Sequence, residues 1–568
     1  MQDQLLVKKK TMFRKFIDSV FNFYFTNKYL SLTIPLLREI YHRLKYLLGS
    51  KSDGNGELKV EKISDTFTNE ELDILFITGY GLGTHFLTVE PPLVSALKRR
   101  GHRVRSVICA KTFECCEFNA DCGSNSSPTP FVHKRGISKF ARERFGNRCT
   151  KSVAEQYDKL KIATLSLNGF LDKDAVDKEL KLARALLTTA SELKKITYNG
   201  IAIGEEVYAS ILRVTFTGEI SRRFNNDNLV EKYLASAIRS VDTYEKFFKE
   251  TSPDRVCLIH GIYLTHGLPA KVANKLNIPV IVIGGGGIRK NTILCCHTET
   301  YHHALVNENN DLWQNLVMNN DMKQQVLQYA FAKRNNGTAV DYLNYHPKPL
   351  SDYDQIENEL GVKFSSFDRI ITLYTNVLWD AQILYKTRIF KDIQEWLIAT
   401  IGFAKSQTDT LFIVRVHPAE VKTANPSRQP IIQEIKKEVK IPRNVILVDP
   451  YSNIDSYALA RISHANVIYG TKMGLEIALM KRNLIVVGES FSKGKGYGYD
   501  PASSKDYFAS LYYDPLKEEM ECRFERALKY AYYLYFKRML DLPSGDSSGD
   551  INCFIDGVET LKPFISED

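Results

Sequence analysis

The hydrophobic positions follow two different patterns along this chain, and the change between them falls near residue 70. Between residues 13 and 47, apolar side chains recur at three- and four-residue steps, which predicts amphipathic helices. From Leu72 onwards, short apolar runs alternate with longer helical patterns, as in a doubly wound α/β domain. The strands predicted for a first sheet are residues 72–77, 104–108, 255–259 and 279–283.

A second α/β pattern follows a polar stretch at residues 333–352, which is interpreted as an interdomain linker. Its predicted strands are residues 369–374, 411–416, 445–448, 467–469 and 484–487. The expected fold class is therefore α/β, with two Rossmann-like doubly wound domains and an N-terminal amphipathic helical extension. A last helical pattern, within residues 511–568, is expected to cross back towards the first domain. The predicted boundaries are 1–55 for the extension, 70–340 for the first domain with a helical insertion, 350–510 for the second domain, and 511–568 for the returning helix and tail.

The positive charge is concentrated in the extension. The whole chain carries a net charge of +10, and residues 1–50 contribute nine Lys and Arg against three acids. Cationic amphipathic helices bind anionic membrane surfaces, and the alternative is that these helices pack on the main body. The remainder is close to neutral, so a nucleic-acid partner is not expected. With no apolar run of about 18 residues and no secretory signal, the predicted location is cytoplasmic, with peripheral binding at the inner membrane face as a second expectation.

Bound cofactors and metals are not expected from the motifs. The ten cysteines include no CxxC spacing, which disfavours a zinc site. The glycine loop at 79–83 lacks the third glycine and the later acidic residue of a dinucleotide fingerprint. The chain also lacks a Walker A sequence, and no Asp-x-Asp pair follows a predicted strand.

The residues just after the predicted strands are the candidates for chemistry, since ligands of open α/β sheets bind beyond the carboxyl ends of strands. His417 follows one strand in Arg-Val-His-Pro and could donate a proton or a hydrogen bond to a phosphate oxygen. Arg415, two residues earlier, projects to the same side and would stabilise phosphate charge. A His-Pro strand exit without chemistry is the alternative.

Two further loops in the second domain have the composition of an anion site. The segment 469–476 places Gly470, Thr471 and Lys472 before a helix, where a phosphate could approach, and Glu476 could hold ribose hydroxyls. The alternative is a tight strand–helix turn. The segment 488–501 is rich in Gly, Lys and Tyr and is interpreted either as a mobile loop closing over an anion or as a solvated loop; its candidate ligands are Ser490 and Lys493.

The first domain offers candidates for the acceptor side. Gly81, Gly83 and His85 lie in the glycine loop after the first predicted strand, and His260 follows a later strand. Both positions are expected at the carboxyl edge of the first sheet. His302 and His303 are interpreted as hydrogen-bonding or core residues. No carboxylate can be singled out as catalytic, and Asp380, Asp73, Glu90 and Glu489 stay open.

The order and spacing of 415–418, 469–476 and 488–491 resemble those of bacterial capsule polysaccharide biosynthesis proteins, some of which transfer Kdo, an acidic sugar. The two-domain layout is likewise similar to the GT-B glycosyltransferase architecture. The resemblance implies metal-independent transfer of a sugar from a nucleotide-sugar donor, which is a co-substrate and is CMP-linked in some related transferases. His417 and Thr471 would contact the donor phosphate.

The resemblance implies an acceptor that is a growing surface or capsular polysaccharide or a glycolipid. Two alternatives stay open at this point. The first is a nucleotide-sugar epimerase on the same fold, and the second is a non-catalytic protein of capsule assembly or export.

Overall fold

The computed structural model describes residues 71–79, 89–113, 115–116, 119–120, 139–172, 175–189, 192–220, 228–284, 288–289, 292–297, 300–336, 349–380, 389–422 and 426–541. The predicted helical extension lies outside these residues, as do Gly81, Gly83 and His85. From residue 71 onwards the chain forms one compact unit.

The first sheet has the strand order β5-β2-β1-β8-β9-β10-β16. The first five of these strands are parallel, and β10 and β16 are antiparallel additions at one edge. Two short hairpins, β3–β4 and β6–β7, lie outside this sheet. The strands are β1 (Asp73–Thr78), β2 (Arg103–Ile108), β3 (Cys115–Cys116), β4 (Asn119–Ala120), β5 (Ala163–Ser166), β6 (Thr197–Tyr198), β7 (Ile201–Ala202), β8 (Arg255–Ile259), β9 (Val280–Gly284), β10 (Thr292–His297) and β16 (Leu540–Asp541).

Helices cover both faces of this sheet. Leu75 and Ile77 of β1 belong to one apolar cluster, whereas Ile74 and Phe76 belong to another, because successive side chains of a strand point to opposite faces. A continuous apolar strand is typical of a parallel sheet buried on both sides. The helices of this half are α1 (Glu90–Arg99), α2 (Lys139–Lys159), α3 (Val176–Thr189), α4 (Gly204–Thr215), α5 (Leu229–Thr251), α6 (Leu268–Lys275), α7 (Tyr301–Asn307), α8 (Asp311–Gln314) and α9 (Asn320–Asn336).

The second sheet is parallel throughout and has the order β13-β12-β11-β14-β15. Its strands are β11 (Arg369–Tyr374), β12 (Thr410–Arg415), β13 (Val445–Val448), β14 (Ala465–Ile468) and β15 (Leu484–Val486). The helices are α10 (Tyr353–Leu360), α11 (Ile393–Ala404), α12 (Ile431–Glu438), α13 (Ser456–Ile462), α14 (Met473–Ala478), α15 (Ser504–Ser510) and α16 (Lys517–Tyr532). The prediction of two Rossmann-like α/β domains is confirmed by these two sheets.

The chain returns to the first half after α16. A π-helical turn, Tyr533–Arg538, leads into β16, which pairs with β10 of the first sheet. Arg538 fixes this return by an ion pair with Glu308 (2.7 Å) and a hydrogen bond to the carbonyl of Cys295 (2.9 Å). The second half of the chain is therefore inserted between two neighbouring strands of the first sheet.

Candidate functional site

Both sheets reverse their strand order at an equivalent place. In the first sheet the reversal lies between β1 and β8, and in the second it lies between β11 and β14. Ligands of doubly wound sheets bind outside the carboxyl ends of the strands at such a reversal. The residues that follow these strands therefore define two candidate edges.

His417, directly after β12, has a fixed orientation at the edge of the second sheet. Its Nδ1 accepts a hydrogen bond from the amide of Ala419 (3.1 Å), and its own amide donates to Oγ1 of Thr375 (3.0 Å). Since Nδ1 is an acceptor, the neutral ring carries its hydrogen on Nε2. Nε2 is therefore the hydrogen-bond donor of this half-buried imidazole.

The loops after β11 and β14 meet beside His417. The amide of Gly470 donates to Oδ1 of Asn376 (3.2 Å), and Asn376 follows Thr375 in sequence. Oγ1 of Thr471 accepts from the amide of Met473 (3.3 Å), which leaves its hydroxyl hydrogen available for donation. His417, Gly470 and Thr471 are thus brought together through Thr375 and Asn376, as predicted for the carboxyl edge, and the half-buried Lys472 follows them.

The turn after β15 reaches the same edge at Gly488. A Cβ atom at this position would overlap the carbonyl oxygen of Tyr469, so only glycine fits the observed approach of the two loops. The loops after β12, β11, β14 and β15, which are neighbours in the sheet, are therefore in contact one after another along its carboxyl edge.

Arg415 does not join this group as the sequence predicts. It is 2% exposed, and its guanidinium donates to the carbonyls of Val416, Asp449 and Ser452, each at 3.3 Å. Burial lowers the pKa of this guanidinium to about 10. These bonds hold the loop after β13, so Arg415 has a structural position in the described site.

Glu476 also contacts other side chains of the protein instead of facing an open ligand site. Its Oε1 forms an ion pair with Nζ of Lys333 at 2.5 Å. Its Oε2 accepts from the hydroxyl of Tyr457 (2.7 Å). Lys333 belongs to α9 rather than to the predicted linker, so this buried ion pair joins the two halves of the chain. The carboxylate that the sequence assigns to ribose binding is therefore already occupied.

The segment 488–501 is packed, which corrects the interpretation of a mobile loop. Lys493 is buried and donates to the carbonyl of Val486 (3.3 Å), with Asp500 at 3.7 Å. Ser490 is buried and accepts from the amide of Ser492 (3.2 Å). Neither predicted ligand is directed to the His417 edge by these bonds. Tight turns and buried lysines account for the composition that suggested a loop over an anion.

At the first sheet, the loop after β8 has an unusual backbone. His260 and Tyr263 have φ values of 63° and 66°, in the left-handed region that non-glycine residues rarely adopt. A π-helical turn, Tyr263–Gly267, follows, and the buried His266 ring lies against Gly79, directly after β1. Strained backbone and π-turns are enriched at functional sites. The half-buried His260 therefore lies at the carboxyl edge of the first sheet, as predicted for it.

Helix α4 connects the two edges. Ala209 packs with Ile262 and Tyr263 of the strained loop, whereas Leu212 packs with Trp379 and with Ala419, two residues after His417. Ala209 and Leu212 are three positions apart and therefore lie on one side of the helix. Helix α4 therefore packs against the loops at the carboxyl edges of both sheets. The region beside α4 that is flanked by His260 and His417 is called the cleft below.

His302 and Asp380 interact electrostatically between the two halves of the chain. Desolvation lowers the pKa of His302 to about 4, and the charge of Asp380 opposes that effect. His302 lies in α7 of the first half, and Asp380 is an exposed residue of the loop after β11. Of the four carboxylates left open by the sequence, Asp380 is the one placed against the other half.

The other three open carboxylates have different positions. Asp73 begins β1 at the opposite, amino edge and pairs with Arg105 (2.6 Å). Glu90 is buried, accepts from Thr78 and Tyr157 (both 2.7 Å), and has its pKa raised by desolvation to about 7. Glu489 is buried in the turn after β15.

Sequence reasoning missed Thr375, Asn376 and Arg213. Thr375 and Asn376 directly follow a strand that the sequence does predict, so the rule of inspecting strand ends could have found them. Arg213 lies inside α4, and its guanidinium is 4.6 Å from the ring centroid of Trp379. This tertiary contact leaves no local signal in the sequence. Among the described residues, no group of three His, Cys, Asp or Glu is arranged to hold a metal ion. In the same part of the chain, no helix has both the length and the apolar content for a membrane crossing.

Comparison with known proteins gives similarity of fold only. No protein-family model and no curated protein matches the chain. The similar solved structures include KpsC of Thermosulfurimonas dismutans, a β-Kdo 2,4 transferase (12% identity, TM-score 0.34, 53% of this chain and 87% of that chain). They also include the glycosyltransferase SnogD of Streptomyces nogalater (14%, 0.20, 82% and 99%). A third is the UDP-GlcNAc 2-epimerase of Neisseria meningitidis bound to UDP-GlcNAc (11%, 0.24, 81% and 94%). These similarities assign neither a family nor an activity.

Proposed function

We propose that this chain is a glycosyltransferase of the GT-B type, which transfers a sugar from a nucleotide-sugar donor to a saccharide or glycolipid acceptor of a surface polysaccharide. The observation that carries the proposal is the meeting of His417, Asn376, Gly470 and Thr471 at the strand-order reversal of the second sheet. The sequence resemblance of residues 410–500 to capsule polysaccharide biosynthesis proteins supports the same class.

In this mechanism the donor phosphate lies at the carboxyl edge of the second sheet. His417 donates its Nε2 hydrogen to a phosphate oxygen, and Thr471 donates its hydroxyl hydrogen to another. Lys472 adds a positive charge beside them. Charge develops on the phosphate as the glycosidic bond breaks, and donors fixed before the reaction stabilise that charge most effectively. His417 is held for this purpose by Ala419 and Thr375.

The acceptor enters from the first half, where His260 lies on the strained loop. The packing of α4 against both this loop and the His417 loop supports a meeting of acceptor and donor beside this helix. Residues 1–50 would bring the enzyme to an anionic membrane surface. Vesicle co-sedimentation with and without residues 1–50 tests that part, and equal pelleting of both forms contradicts it.

The decisive experiment compares His417→Ala with His464→Ala. His464 is a matched control because its Nδ1 also accepts a backbone amide hydrogen, from Ile370 (3.0 Å), at the amino edge of the same sheet. Calorimetric titration with CMP, UDP and GDP should show that the wild type binds at least one nucleotide. Turnover of the matching sugar nucleotide should fall about 10²- to 10⁴-fold in His417→Ala and change little in His464→Ala.

The products separate the remaining functions. Transfer to an added saccharide acceptor supports the proposal, whereas an isomerised sugar nucleotide formed without acceptor identifies an epimerase. Failure to bind any of the three nucleotides identifies a non-catalytic protein. Equal activity of His417→Ala and His464→Ala would refute the role of His417.

A further inference from the structure

Arg213, in the last turn of α4, is held at the cleft by aromatic rings. Its guanidinium carbon lies over the ring of Trp379, 4.6 Å from the centroid, and 5.7 Å from that of Phe216. Phe216 and Trp379 are themselves in edge-to-face contact at 4.9 Å. Contacts with ring faces stabilise the cation electrostatically and use none of its five N–H groups. Arg213 is therefore fixed in place with its hydrogen-bonding capacity unused.

Two buried arginines of the described residues have different partners. Arg239 is paired with Glu179 and Arg523 with Glu519, in each case through a carboxylate. Arg213 forms no ion pair and donates no hydrogen bond to the part of the chain that the structure describes. Arg213 is half-buried, so its oriented donors remain accessible and can be satisfied by water or by an anionic ligand.

The position of Arg213 connects it to both edges of the cleft. Ala209, one helical turn earlier on the same side of α4, packs on the strained loop at Ile262 and Tyr263. Leu212, its direct neighbour, packs beside Ala419 of the His417 loop. Asp380 directly follows Trp379, the aromatic partner of Arg213, and its negative charge acts to raise the pKa of His302.

We infer that Arg213 binds the anionic group, a carboxylate or a phosphate, of a saccharide lying in this cleft. The inference rests on the proposed function, since it assigns an acidic saccharide to the site proposed there. A planar guanidinium donates two parallel hydrogen bonds to a carboxylate or phosphate, which an ammonium cannot reproduce. Arg213 would therefore set specificity for an acidic over a neutral sugar while His417 serves the donor phosphate.

The test measures binding of three probes to the full chain by ligand-observed NMR: D-glucuronic acid, glucose 1-phosphate and D-glucose. The variants are Arg213→Gln, which removes the charge, and Arg213→Lys, which keeps the charge over Trp379. Arg443→Gln is the matched control, because Arg443 is exposed just before β13, at the amino edge of the second sheet. Thermal midpoints and nucleotide titrations on every variant report whether the fold and the donor edge are intact.

The wild type should bind an acidic probe more tightly than glucose, and the acidic probe that binds identifies carboxylate or phosphate as the anion. Arg213→Gln should lose about 10- to 100-fold in that affinity, Arg213→Lys should lose part of it, and Arg443→Gln should lose none. Equal binding of acidic and neutral probes by the wild type overturns the inference, as does unchanged affinity in Arg213→Gln. Failure of the wild type to bind any of the nucleotides would instead refute the proposed function. Failure of the inference about Arg213 and failure of the proposed function therefore give different results.

Discussion

Replacing Lys333 by methionine should destabilise the protein strongly, because it leaves the carboxylate of Glu476 buried without its cation. The two side chains are 4% and 7% exposed, and their charged atoms are 2.5 Å apart. Removing one partner of such a buried pair costs about 3–5 kcal/mol. The hydrogen bond from Tyr457 to Glu476 remains, so we expect a loss near the lower end, about 3 kcal/mol, in the free energy of unfolding.

Lys323→Met is the matched control for this prediction. Lys323 lies in the same helix and pairs with Glu525 at 2.9 Å, but these side chains are 32% and 46% exposed. An ion pair in water contributes about 0–1 kcal/mol, so Lys323→Met should lose little. The double variant Lys333→Met/Glu476→Gln should recover most of the loss, since no buried charge remains.

Urea denaturation measures these free energies of unfolding. Calorimetric titration with the nucleotide that the wild type binds measures separately whether Glu476 contributes to nucleotide affinity. Equal stability of Lys333→Met and Lys323→Met would refute the reasoning. Glu476→Gln should lower stability with little change in nucleotide affinity. A large loss of nucleotide affinity without a loss of stability would restore the ribose-binding role that the sequence suggests.

Three further predictions concern other parts of the fold. Burial raises the pKa of Glu90 from 4.5 to about 7, so the folded state binds its proton more tightly and stability should fall between pH 4.5 and 7, by up to roughly 3 kcal/mol. Glu90→Gln should remove that slope in urea denaturation at a series of pH values, and an unchanged slope would contradict the assignment. Gly488→Ala should lower the free energy of unfolding by about 1–3 kcal/mol and weaken nucleotide binding, because the added Cβ would overlap Tyr469. Gly402→Ala is the control: it lies in open space on α11 and should raise the free energy of unfolding by up to about 1 kcal/mol. Similar effects of the two substitutions would count against the close approach at Gly488. Lys495 is 1% exposed and donates hydrogen bonds to the carbonyl of Glu308 and to Oδ1 of Asn310, both at 3.2 Å. Lys495→Met should therefore lower the free energy of unfolding by about 1–3 kcal/mol and make residues 488–501 more sensitive to proteolysis. An unchanged cleavage rate would argue against this anchoring.

The central strands of both sheets could be predicted from the sequence because their signal is local, whereas β5, β10 and β16 at the edges of the first sheet were not predicted. Strands such as 369–374 and 255–259 are apolar on both faces, which a parallel sheet between helices requires. Once the strands are known, the carboxyl edge is known too, and His417, Gly470 and Thr471 follow from it.

Partners across the molecule could not be predicted in this way. Glu476 and Lys493 have the residue types and positions of an anion site, yet Lys333 and the carbonyl of Val486 occupy them. Lys333 is 143 residues away from Glu476, in a stretch whose polar composition resembles a linker. Arg213 was missed for the converse reason, since its aromatic partner Trp379 comes from the other half of the chain.

The pairing of β16 with β10 means that the second half is tethered to the first at two points of the chain. A domain joined by one linker can reorient about that single connection, whereas two connections restrict its motion relative to the other domain. Truncation before residue 540 would also strip an edge strand from the first sheet and expose the unpaired backbone of β10. Neither half should consequently be obtainable as a stable fragment by a single cut, but the two pieces from a cut near residue 345 should remain associated.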